Sequence, residues 1–106
     1  CVNRSARPHA HLEPTAKLSL NLLSRSQQDV SAAFGGGLPQ AERFRTGHWA
    51  LGASGLPALE GAQANLNCVI DAMLAYGTHS IVIARVLGVT LSGDVDPLIY
   101  QDGRYL

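Results

Sequence analysis

The residues of this sequence that could bind or transform a ligand lie in two short stretches far apart in the chain. The first is CVNRSARPH, in which Asn3, Arg4, Ser5 and Arg7 follow a short apolar start. Guanidinium groups, a hydroxyl, an amide and the N–H groups of a turn suit an anion, and an arginine fork binds two phosphate oxygens at once. The alternative is a solvated turn with two surface arginines, and these residues alone leave both interpretations open.

His79 is the second candidate, in the stretch YGTHSIVIARVLGVTLSG. It follows a glycine at what we expect to be a tight connection between two strands, where an imidazole is exposed enough to pair with a phosphate or an amide. The alternative is a histidine at a hairpin end without a function. The other histidines (His9, His11 and His48) are too dispersed for a convincing metal site, and no H-x-x-x-H or C-x-x-C pattern occurs, so we expect no metal.

Bulk composition restricts the classes of function. The 106 residues, of which 46% are hydrophobic, predict a single globular domain. Only 15% are charged and the net charge is zero, which gives no electrostatic footprint for nucleic acid or an anionic membrane. No apolar run reaches the roughly 18 residues of a membrane span. Cys1 and Cys68 are too few for a disulfide framework, and we expect both to be reduced and buried in a cytoplasmic protein.

The elements that must position these residues are predicted to be mainly antiparallel strands. Residues 17–24 (KLSLNLLS) alternate, with Leu18, Leu20 and Leu22 on one face and Ser19 and Asn21 on the other, which predicts a half-buried strand. Residues 62–77 and 78–93 predict one long hairpin, which curls like a barrel wall and bends at Gly88. Residues 97–106 predict a final hairpin with an Asp-Gly tip.

One or two short helices are predicted between the strands. Residues 8–13 could form about one turn between two prolines, and a serine cap followed by SQQDVSAAF predicts a helix whose inner face carries Val30, Ala33 and Phe34. The Gly- and Pro-rich residues 35–61 predict a long irregular loop, which the aromatic residues of RFRTGHW would keep packed.

Several of these stretches, taken in order, resemble the flavin reductase-like domain, the reductase component of two-component flavin-dependent monooxygenases. The resemblance covers residues 1–106, and its strongest pieces are GTHSIVIARV and PLIYQDGRY, each at the expected distance from ALEGA. It implies a mainly β fold, an antiparallel FMN-binding split β-barrel with one or two short helices, in a homodimer. It also implies reduction of FMN or FAD by NADH or NADPH, with release of the reduced flavin to a separate monooxygenase.

The resemblance also assigns roles to residues. It places His79 beside the nicotinamide and the flavin, as the catalytic candidate. It places the loop of Asn3, Arg4 and Ser5 along the flavin and, more loosely, Phe34 and Tyr100 near the cofactor pocket. Hydride transfer itself needs no acid or base from the protein, since the nucleotides supply that chemistry.

The sequence departs from the family pattern in two ways. Thr78 stands where the family usually has an aspartate, so the support of the histidine is altered. The family also has strands before the position of Cys1, including a loop that holds the flavin phosphate, so the domain is expected to be incomplete at its N-terminus. A chain without that loop could bind flavin poorly or lack activity. The alternative function is therefore a non-catalytic flavin-binding or dimerisation module.

Overall fold

The computed structural model describes residues 1–106. The strands, in chain order, are β1 (Val2–Asn3), β2 (Lys17–Leu22), β3 (Trp49–Leu51), β4 (Pro57–Leu59), β5 (Ala64–Tyr76), β6 (His79–Leu91), β7 (Tyr100–Gln101) and β8 (Arg104–Tyr105). One short α-helix, α1 (Gln28–Ala32), continues into a π-helical turn (Ala33–Gly37), and 3₁₀ turns occupy Arg7–His11, Arg25–Gln27 and Gln40–Arg45. The prediction of a mainly β chain with short helices is confirmed.

The main sheet is antiparallel and has the strand order β1-β6-β5-β2. Its two long strands, β5 and β6, form the predicted hairpin, and Gly77 takes a positive φ of 58° at the turn between them. The register shifts twice along this hairpin, between Asn67 and Cys68 and between Ile70 and Ala72. Such bulges bend and twist a strand pair, which curls the sheet into half of a barrel. The first shift lies opposite Gly88, where a bend was predicted.

The predicted strand is present as β2, and its more covered face is the polar one that carries Ser19 and Asn21. Leu20 and Leu22 are about half exposed. On the other face, Asn21 Oδ1 accepts hydrogen bonds from the Leu59 N–H (3.0 Å) and from Asn65 Nδ2 (2.6 Å). The amide thereby fixes β4 over the polar face, since a buried backbone N–H needs a partner.

A small core lies between that face and the helical segment. Its buried residues are Val30, Leu59 and Ala62, with Phe34 and Trp49 packed against them. Ala33 is also buried, which confirms the predicted inner face of the helix. A capping box between Ser24 and Gln27 begins the helical segment.

Residues 35–61 are more regular than predicted. They contain the 3₁₀ turn Gln40–Arg45 and the hairpin of β3 and β4, in which Trp49 pairs with Leu59. The two strands have three residues each, too few for an alternating pattern to stand out among the flanking glycines and prolines. The predicted final hairpin is confirmed, with positive φ at Asp102 and Gly103.

Both cysteines are free thiols, and they differ in exposure. Cys68 is buried as predicted, but Cys1 is exposed, because it precedes the two-residue strand β1 at the edge of the main sheet. None of the helical segments has both the length and the apolar character that crossing a membrane requires.

Candidate functional site

The pairing of β1 with β6 brings the two predicted stretches together. Asn3 lies opposite His79, and Val2 lies opposite Ser80. Just beyond the paired residues, the Arg4 N–H donates to the Thr78 carbonyl at 2.9 Å. The NRS loop and the histidine turn therefore form one end of the sheet, although they lie more than 70 residues apart in the chain.

The NRS loop is held in a defined shape by its own side chains. Asn3 Oδ1 accepts hydrogen bonds from the Ser5 N–H (2.9 Å) and the Ser5 hydroxyl (2.8 Å), an arrangement typical of an Asx turn. The Arg4 guanidinium donates one N–H to the Gly77 carbonyl at 3.2 Å and pairs with no carboxylate. The arginine is thus anchored while its positive charge is left without a counter-charge from the protein.

A polar cleft of about 690 Å³ opens beside this loop. The residues that line it are Asn3, Arg4, Ser5, His9, Gly77 and Thr78. None of them is hydrophobic and none is acidic. A cleft with an uncompensated guanidinium and several donors, and without a carboxylate, suits an anion such as a phosphate.

His79 lies on the surface next to this cleft. Its Nδ1 is 2.8 Å from Thr78 Oγ1, and its Nε2 has no partner within the protein. The neighbouring hydroxyl therefore occupies the position of support that the resemblance gave to an aspartate. A contact at one ring nitrogen restrains the orientation of the imidazole and leaves the other nitrogen for a ligand.

An apolar strip begins beside His79 on the same face of the hairpin. Tyr76 lies opposite His79, and Leu74 lies opposite Ile81. The four large side chains of this strip, Leu74, Tyr76, Ile81 and Ile83, are between 41% and 80% exposed. The imidazole therefore stands between a polar cleft and an exposed apolar surface.

Phe34 lies in a different cavity, lined mostly by apolar residues. The rings of Phe34, Phe44 and Trp49 contact one another with centroids 5.0–5.3 Å apart, and they line a pocket of about 480 Å³. The remaining lining residues are Ser19, Asn21, Leu23, Val30, Ser31, Leu56 and Pro57, none of them charged. This pocket suits a neutral, flat group rather than a phosphate.

Tyr100 is 63% exposed and packs against Tyr105 in the final hairpin, at a centroid distance of 5.0 Å. The Tyr105 hydroxyl lies 2.9 Å from Ser31 Oγ, and Ser31 lines the aromatic pocket. Of the six residues predicted for the site, the structure brings together Asn3, Arg4, Ser5 and His79. Phe34 lies in the aromatic pocket instead, and Tyr100 lies in the final hairpin.

His9 is the residue of the cleft that sequence reasoning missed. The sequence offers it only as a metal-ligand candidate, and nothing local in the sequence links it to the turn at Gly77. The link is a long-range contact, from His9 Nε2 to Ser80 Oγ at 2.8 Å. The side chains of the structure also contain no group of three or more His, Cys, Asp or Glu residues that could hold one metal ion.

Comparison with known proteins identifies relatives along the whole chain. The family model described as flavin reductase like domain matches residues 1–106. An FMN reductase (NADH) RutF of Stutzerimonas stutzeri is 38% identical over 105 residues, which are 99% of this chain and 60% of that protein. The corresponding protein of Cronobacter sakazakii is 31% identical, over 99% of this chain and 63% of its own length.

Solved structures share the fold. The NADH:FAD oxidoreductase SgcE6 of Streptomyces globisporus, in complex with NAD and FAD fragments, has a TM-score of 0.89 and 26% identity, over 100% of this chain and 64% of its own. BorF, the flavin reductase component of a bacterial two-component tryptophan halogenase, has a TM-score of 0.87 and 28% identity, over 99% of this chain and 68% of its own. The chain spans about 60% of the length of the curated relatives that it matches.

Proposed function

The chain belongs to the flavin reductase-like domain family, and we propose that it binds a flavin and a nicotinamide nucleotide for NAD(P)H-dependent reduction of FMN or FAD. The observation that carries the proposal is the β1–β6 pairing, which places the NRS loop, the polar cleft and His79 at one end of the sheet. Relatives named FMN reductase (NADH) favour FMN and NADH among the alternatives.

The residues of the cleft fit the phosphate end of a nucleotide. Arg4 is anchored on the Gly77 carbonyl and free of any carboxylate, so it can offer its remaining N–H groups to phosphate oxygens. Asn3 and Ser5 stabilise the loop through their own hydrogen bonds and keep the guanidinium at the mouth of the cleft. We assign these three residues to binding of the flavin.

His79 is assigned to orienting the nicotinamide. Its Nε2 is free of protein partners while Thr78 restrains the ring at Nδ1, so the imidazole can hold an amide or a phosphate of the incoming nucleotide. The adjacent apolar strip gives a flat ring system an apolar surface beside the imidazole. Hydride transfer is chemistry that the two bound nucleotides supply between themselves.

Phe34 and Tyr100 are assigned weaker roles. The aromatic pocket around Phe34 suits a planar ring, and no positively charged side chain lines it. Tyr100 is exposed and reaches that pocket only indirectly, through Tyr105 and Ser31. We therefore assign Phe34 to contact with a planar ring of a bound nucleotide. We assign Tyr100 to contact at the outer edge of the aromatic pocket.

The partners that we propose are a second copy of the chain and a separate monooxygenase. The exposed strip of Leu74, Tyr76, Ile81 and Ile83 is the kind of apolar surface that a homodimer covers. Relatives named as a nitrilotriacetate monooxygenase component and as a halogenase's flavin reductase component support delivery of reduced flavin to another enzyme.

The alternative function is a non-catalytic flavin-binding or dimerisation module. It is favoured by Thr78, which places a hydroxyl beside His79 where the family usually has an aspartate. Oxidation of NADH on addition of free FMN, followed at 340 nm, separates the two functions. Turnover that depends on FMN supports the reductase, whereas a protein that binds FMN without turnover supports the module. A protein that neither binds nor reduces flavin contradicts both flavin-based functions.

A further inference from the structure

His9 lines the polar cleft together with the NRS loop and Gly77. It belongs to the 3₁₀ turn Arg7–His11 and is partly buried. Its Nε2 lies 2.8 Å from the hydroxyl of Ser80, which is only 3% exposed. A buried hydroxyl in hydrogen-bonding contact with a ring nitrogen fixes the orientation of the ring.

The other ring nitrogen of His9 has no partner within the protein. Because the contact with Ser80 occupies Nε2, Nδ1 is the nitrogen left for a ligand. Arg4 contributes a second group to the same cleft, held by the Gly77 carbonyl and paired with no carboxylate. Two side chains from separate segments, each held by a hydrogen bond, therefore line one open cleft that contains no acidic side chain.

We infer that His9 is a phosphate-binding residue, which acts with Arg4 on the terminal phosphate monoester of FMN and makes the cleft prefer FMN over riboflavin. The inference rests on the proposed function for the identity of the ligand, but the anion site is defined by the side chains alone. A phosphate monoester has three non-bridging oxygens, more than one guanidinium fork can satisfy, and a second donor from the lining of the cleft completes the contact. Ser80 is the positioning residue, because it holds the imidazole in place.

The first experiment compares FMN with riboflavin, which has the same ring but no phosphate. Quenching of flavin fluorescence is titrated for the wild-type chain, His9→Gln and the control His11→Gln, whose exposed histidine lies in the same turn but outside the cleft. We expect His9→Gln to weaken FMN binding about tenfold, as loss of a charge-assisted hydrogen bond does, and to leave riboflavin binding and the melting temperature unchanged. Ser80→Ala is expected to shift FMN binding in the same direction by a smaller factor.

Equal weakening of FMN and riboflavin in His9→Gln, or no weakening of either, overturns the inference. A second titration separates this failure from failure of the proposed function. Inorganic phosphate is added to the wild-type protein while the ring signals of its histidines are followed by NMR. A saturable shift of His9 without binding of either flavin supports the anion site and contradicts the proposed function. If phosphate causes no saturable shift at His9, the inference is overturned, whether or not the protein binds flavin.

Discussion

Asn3 lies directly opposite His79 in the antiparallel pairing of β1 with β6. Residues directly opposite each other in such a pair point to the same face of the sheet, with Cβ atoms about 4.5–5.5 Å apart. The pairing therefore makes one site out of two stretches that the sequence presents separately. Its position at the end of the long hairpin leaves both side chains exposed to a ligand.

Replacing His79 tests whether the exposed imidazole serves a ligand or the fold. We expect His79→Ala to raise the KM for NADH and to change the melting temperature little, because the side chain is exposed and its one side-chain hydrogen bond is with its neighbour Thr78. Steady-state kinetics and thermal unfolding measure the two effects. His48→Ala, at another exposed histidine, is the control. If the melting temperature falls together with the activity, His79 has a structural role instead of binding NADH.

Thr78 is expected to act on NADH through the orientation of the imidazole. Thr78→Val keeps the shape and removes the hydroxyl that lies 2.8 Å from His79 Nδ1. We expect it to lower kcat/KM for NADH about fivefold, the size of one lost hydrogen bond, and to change the ¹⁵N signals of the His79 ring. Thr78→Ser keeps the hydroxyl and should restore both. Unchanged ring signals in Thr78→Val would show that the contact does not restrain the histidine.

Arg4 is expected to contribute to FMN binding through its charge. Arg4→Ala removes the guanidinium that faces the cleft, and we expect about tenfold weaker binding of FMN, with a smaller dependence of affinity on salt. Arg4→Lys should recover part of the affinity, since an ammonium keeps the charge but loses the fork. Arg25→Ala serves as the control, because that arginine pairs with Asp96 instead. Equal FMN affinity in Arg4→Ala and Arg25→Ala would remove Arg4 from the site.

Asn21 tests the account of the fold. Asn21→Ala leaves the Leu59 N–H without its acceptor and leaves Asn65 Nδ2 with only the Leu59 carbonyl, and we expect a loss of about 2 kcal/mol in the free energy of unfolding. Chemical denaturation measures this loss. Asn67→Ala, which removes an acceptor only from the Ser54 hydroxyl, should cost less. Equal losses would mean that Asn21 does not hold β4 on the sheet.

The long hairpin could be predicted because its signals are local. A glycine at the turn and β-branched residues along β6 specify two strands whatever the rest of the chain does. Those strands then place His79 at the turn, which is why the histidine and the NRS loop could be identified as candidates. The aromatic residues of the predicted loop likewise indicated packing, and Phe44 and Trp49 do contact each other.

The parts that escaped prediction depend on contacts between distant residues. The alternation of β2 shows that two faces differ, but the contact of Asn21 with Leu59 decides which face is covered. His9 is held at the cleft by its contact with Ser80, a residue of β6 that is far from it in the sequence. Neither the covered face of β2 nor the position of His9 can be predicted from the spacing of nearby residues.

The most direct test of the central claim, that the NRS loop and His79 form one nucleotide site, is NMR of the wild-type side chains during addition of FMN and then NADH. The account predicts saturable changes at the Arg4 guanidinium with FMN and at the His79 ring with NADH, while the exposed ring of His48 stays unchanged. Changes confined to residues of the aromatic pocket, such as Trp49, or no saturable change at Arg4 and His79, would contradict it.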